Sequence, residues 1–143
     1  MVFERVFTVN DYYDGPHSGI ANYCGRPHHY ECEWDHEKGN YGSTFVLTPI
    51  TNETLTLALE QHEIFLRWER ANLRGEIVDS THPALPGQNA RYAELEEIIK
   101  GSLENASGSR HRARGVFRPT PEQQPSLPKG VMRELEVEWA NVA

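Results

Sequence analysis

Cysteine is scarce in this chain. Its 143 residues hold two, Cys24 and Cys32, too few for a disulfide framework, so free thiols in a reducing compartment are expected. Long apolar runs are missing, and nothing approaches the ~20 residues of a membrane helix. Residues 1–15 carry no basic segment followed by an apolar one, so no leader peptide is expected. A cytoplasmic location and no membrane association follow as expectations. Basic charge is in deficit: 14 Lys and Arg stand against 21 Asp and Glu, a net charge of −7. That disfavours nucleic acid and anionic membranes and favours a basic partner. Catalytic signatures are absent too. There is no G-x-S-x-G, phosphate-binding glycine loop, H-E-x-x-H or G-x-G-x-x-G.

What is present is an ordinary globular composition, 38% hydrophobic and 24% charged. A single domain over residues 1–143 is expected. The first part reads as strands: 3–10, 18–23, 28–35 and 43–50. The run CGRP, 24–27, suits a hairpin with Gly25 and Arg26 at its tip, and 36–43 reads as a polar loop. From Thr51 the period changes. Leu55, Ala58, Leu59, His62, Phe65 and Leu66 recur at threes and fours, predicting a helix over 51–76, capped at Thr51 or Asn52 and ended by Gly75. Tyr92, Leu95, Ile99 and Leu103 mark a second helix. Residues 110–120 and 131–142 return to strand, with a Pro-rich mobile loop expected over 120–130. The order β-β-β-β-α-α-β-β predicts an α+β fold. It is either a curved antiparallel sheet or a partly open barrel of about six strands, with two helices packed on it.

Cys24, His28, Cys32 and His36 stand four apart and imitate a zinc motif. The spacing argues against one. On a strand, four residues span about 13 Å, whereas zinc holds its ligands within ~2.3 Å. No metal and no cofactor are expected. As a strand, the stretch presents His28, Tyr30, Cys32, Trp34 and His36 on one face and His29, Glu31, Glu33 and Asp35 on the other. The first face reads as core and the second as acidic surface. His29 and Glu31, two residues apart, are the one pair that a third ligand from a neighbouring strand would complete into a smaller metal site.

Three further features matter. Arg110, Arg112, Arg114 and Arg118 share one face of a strand. They are expected beside an acidic strand, chiefly Glu134, Glu136 and Glu138; facing outward, Arg110, Arg112 and Arg114 are the one route to nucleic acid. His62 falls in a helix's apolar stripe and reads as a core histidine. The loop 10–19 concentrates Asp11, Tyr12, Tyr13, Asp14 and His17 on a Gly15-Pro16 bend. With His29, Glu31 and Glu33 these residues form the candidate binding surface. The expected function is a non-enzymatic, adaptor- or immunity-like module that binds a protein. The alternative is a small hydrolase using His and carboxylate groups of the 11–17 loop and the 28–35 strand. A concave pocket gathering Asp14, His17, His29 or Glu31 would favour the enzyme, and a flat patch with Tyr12 and Tyr13 exposed would favour the module.

Overall fold

Each stretch with period-two patterning becomes a strand. In a computed structural model describing residues 2–12, 15–121 and 134–142, the chain is α+β. The strands are β1 (Phe3–Tyr12), β2 (Pro16–Tyr23), β3 (Arg26–Asp35), β4 (Asn40–Pro49), β5 (His111–Pro119) and β6 (Leu135–Asn141). Helices α1 (Asn52–Leu73) and α2 (Ala90–Asn105) fall between β4 and β5. All six strands run antiparallel in sequence order and close into a barrel. The closing seam is short, pairing Phe3 with Glu138, Glu4 with Val137 and Arg5 with Glu136. Of the two expected forms the barrel is realised, closed rather than partly open, and closure leaves the sheet without free edges.

Aromatic rings fill the barrel. Tyr30, Phe45, Phe117 and Trp139 lie inside with every pair of centroids between 5.2 and 6.3 Å apart. Ala21, Cys32, Leu47, Ala113 and Val137 occupy the remaining buried positions. Burying a side chain such as Leu47 contributes about 1.5–3 kcal/mol. Two of the rings lie over glycines. Tyr30 is paired with Gly19, and Trp139 with Gly115. A Cβ on Gly19 would lie 2.1 Å from the Thr8 carbonyl oxygen, and one on Gly115 2.6 Å from the Trp139 ring. The Tyr30 hydroxyl donates to that Thr8 carbonyl at 2.9 Å. β1 is irregular there, and Thr8 Oγ1 takes the Ile20 N–H in place of a ladder carbonyl.

Three local expectations need correction. The β2–β3 turn is Cys24-Gly25, one residue earlier than Gly25-Arg26, because Tyr23 pairs with Arg26. Both central residues have positive φ, 52° and 76°, as a type I′ turn requires. The Glu4 carboxylate accepts both N–H groups, at 3.0 and 2.7 Å. Next, β4 begins at Asn40, so the polar loop is shorter than 36–43. Finally, Trp34 is not core: it is 47% exposed. It faces as Cys32 does but stands at the open end of the barrel, where it pairs with Tyr41 beyond a register shift in β4.

The chain divides into two compact units, the strands and residues 50–108. In the helical unit Thr51 caps α1 by accepting the Thr54 N–H. Gly75, at φ 74°, ends it, with Glu76 N donating to Ala71 O and Gly75 N to Asn72 O, a double C-terminal bond pattern. Asn89 caps α2 through the Tyr92 N–H. The helices meet through Thr54 with Ser102, and through Gln61 with Glu96 at 2.5 Å. His62 is half-buried beside Phe65, and burial holds its imidazole below the usual histidine value. No helix among the described residues is long and apolar enough to cross a membrane.

Candidate functional site

One end of the barrel is filled and the other is hollow. At the filled end the rings of Tyr23, His28 and His111 lie 4.7–5.6 Å from one another. His28 Nδ1 bonds the Arg26 carbonyl at 2.9 Å, while burial lowers the His28 pKa. At the other end a cavity of about 580 Å³ opens inside the strands, a volume typical of small-molecule sites.

The floor of this mouth is Cys32, Phe45, Gly115 and Phe117. Burial pushes the Cys32 thiol up, so it stays neutral, and it donates to the Gly42 carbonyl at 3.2 Å. The walls are Trp34, Tyr41 and His17. Trp34 and Tyr41 stand edge to face, 5.1 Å apart at 85°. His17 lies over Tyr41 at 3.9 Å with a 32° tilt. Asn40 and Ser43 add polar groups. No Asp, Glu, Lys or Arg is among the described lining residues.

Trp34 sits between two anchored carboxylates. Glu33 receives a two-toothed bond from Arg112, Nε to Oε1 at 2.5 Å and a second nitrogen to Oε2 at 2.6 Å. That bond holds the Glu33 carboxyl below its ordinary value. Asp35 accepts the N–H groups of Glu37 and Lys38 at 3.0 and 3.1 Å and so fixes the β3–β4 turn. Behind Trp34 lies a smaller polar cleft of about 380 Å³, bordered by Glu33, Asp35, Lys38, Arg112 and Arg114.

The candidate surface read from sequence is dispersed. His17 is buried in the wall of the mouth. Tyr12 is 60% exposed and pairs with Pro16 beside that wall. Asp11 and Glu31 both pair with Ser18 from opposite sides, which sets them on the outer surface. His29 and Glu33 lie on that outer face of β3, and neither lines the mouth. Tyr13 and Asp14 lie outside the described residues, as does the expected 120–130 loop beyond Pro121. Among the described residues no three His, Cys, Asp or Glu side chains cluster to hold a metal, and Cys24 and Cys32 are free.

The arginine row does face outward. Arg112, Arg114 and Arg118 are exposed while Ala113 and Gly115 face in. β5 lies beside the C-terminal strand, as expected, and Arg118 bonds Glu136 directly across it at 2.5 Å. Arg112 reaches the other acidic row, at Glu33. Both acidic rows therefore engage the same strand.

Sequence reasoning missed Trp34, Tyr41, Phe45 and Phe117 as neighbours of one cavity. The available signal was Tyr41 flanked by Gly39, Asn40, Gly42 and Ser43, an aromatic among small residues at a strand start. Compared with protein-family models, curated proteins and solved structures, the chain matches none.

Proposed function

We propose that this protein is a non-enzymatic binding module whose recognition site is the open mouth of the barrel. One observation carries the reading: Trp34 and Tyr41, large and aromatic, remain 47% and 42% exposed at a concave rim. Exposed aromatic surface of this kind marks interaction sites. The hydrolase alternative has less support. Among the described residues, only His17 of its named groups lines the cavity, and no described carboxylate joins it there. A cytoplasmic location belongs to the same proposal and is supported by the two free thiols.

The test is a fragment screen by saturation-transfer NMR on the intact protein and on Trp34→Ala/Tyr41→Ala. Both positions are exposed, so the variant keeps its fold. Fragments that bind the intact protein and not the variant support the mouth. Equal binding to both, or none to either, contradicts it.

A protein partner is the second reading. It is favoured by exposed Tyr12, which stands beside Pro16 at the rim. The net charge of −7 would steer a basic partner toward it. A partner that co-purifies with the intact protein and is lost with Tyr12→Ala would support it. Unchanged recovery would count against it.

A further inference from the structure

We infer that the mouth takes a neutral, flat aromatic or heteroaromatic small molecule. This rests on the binding reading above and names its ligand class.

Trp34 forms one wall of the mouth. By alternation it faces as Cys32 does, and both line the mouth. It lies beyond a register shift that sets it opposite Tyr41 at the open end of the barrel, and irregularities of this kind recur next to functional sites. The device is braced on both sides, by the Arg112 fork on Glu33 and by the Asp35 turn. The indole is thus held in place before any ligand arrives, which reduces the ordering cost of binding.

Its partners select shape. Trp34 and Tyr41 meet at 85°, His17 overlies Tyr41, and Phe45 and Phe117 close the floor. Aromatic groups pack on such surfaces by offset stacking and edge-to-face contact, which a flexible alkyl chain cannot make.

The lining selects charge. An ion entering the mouth would lose hydration, and no described lining residue carries the countercharge that would replace it. The Cys32 thiol offers none, because burial keeps it protonated. Asn40 and Ser43 supply neutral hydrogen-bonding groups, enough to orient a ring nitrogen or a hydroxyl.

The experiment is a ¹H–¹⁵N titration of the full chain with four probes: indole, n-octanol, choline and benzoate. The signals read are the Trp34 indole N–H, assigned with Trp34→Phe, and the Gly42 and Gly115 amides. Indole is expected to shift them saturably, with the other three at least tenfold weaker. Trp34→Phe, which keeps a flat face, is expected to retain indole binding, and Trp34→Ala to lose at least tenfold. If octanol, choline or benzoate binds at these signals as well as indole does, the ligand class is wrong while the mouth stands as a binding site. If no probe moves them, the class and the site both fail. If Trp34→Ala binds indole unchanged, the role given to Trp34 is wrong.

Discussion

Arg112 of β5 reaches across β4 to grip Glu33 of β3 with two nitrogens, at 2.5 and 2.6 Å. The acidic face of β3 is therefore met by an arginine, and the residue so anchored is the neighbour of Trp34.

The first prediction concerns that pair. The hydrogen bonds from Arg112 hold the Glu33 carboxyl low. A carboxyl depressed by folding contributes stability above its unfolded pKa of about 4.3, and that stability is lost as pH falls through the folded value. Arg112→Gln should raise the Glu33 pKa, read from the carboxyl ¹³C shift. It should also destabilise the protein at neutral pH more than in acid. A Glu33 titration indifferent to the substitution would show that the fork does not form in solution.

A single methyl group should act in opposite directions at two glycines. In Gly19→Ala the new Cβ meets a backbone oxygen at 2.1 Å, so a loss of about 1–3 kcal/mol is expected. In Gly101→Ala, within α2, nothing lies within 4 Å, and a gain of about 0.4–1 kcal/mol is expected from reduced freedom of the unfolded chain. Urea unfolding measures both. Equal effects would contradict the close approach of Tyr30 and Thr8 to Gly19.

How far the fold was legible depends on what each pattern encodes. Tyr30 and Cys32, or Val137 and Trp139, show their strand and its buried face by alternation alone. Thr51 and Gly75 mark the ends of α1 because capping is local chemistry. The turn was misread because glycine suits the first central position of one hairpin turn and the second of another, and only the pairing of Tyr23 with Arg26 separates them. Trp34 was misassigned because alternation gives a residue's facing and not its depth: it faces as Cys32 does, but it stands at the open end, beyond a register shift in β4 that β3 alone does not show. The mouth was illegible for a related reason. His17, Trp34, Tyr41 and Phe117 come from four strands, and nothing in a linear pattern states that β1 will close on β6.

The Cys24-Gly25 turn offers a third test. Cys24 holds φ at 52°, a left-handed conformation that costs most side chains roughly 1–2 kcal/mol. Asparagine is the residue type I′ turns prefer there. Cys24→Asn should stabilise the protein by about 0.5–1 kcal/mol, because Asn recovers part of that cost. The Glu4 bonds to the turn amides remain available to the variant. A loss of stability would mean that the thiol itself matters.

The fourth concerns pH. Burial holds His28 and His62 below the usual histidine value. Below about pH 6.5 the unfolded chain binds protons that the folded chain refuses. Stability from this source is complete above that pH and declines beneath it. Glu69, whose carboxyl burial pushes up, acts in the opposite sense at lower pH and bounds the window. The urea midpoint should fall between about pH 7.5 and about pH 6.0. The fall should shrink in His28→Gln/His62→Gln. A midpoint that is flat or rises over this range would refute the assignment.

Intermolecular nuclear Overhauser effects between added indole and the protein test the mouth of the barrel most directly. Contacts from indole to the side chains of Trp34, Tyr41, Phe45 and Phe117 together are the predicted result. Contacts confined to the outer face or to the helical unit, or none at all, would contradict it.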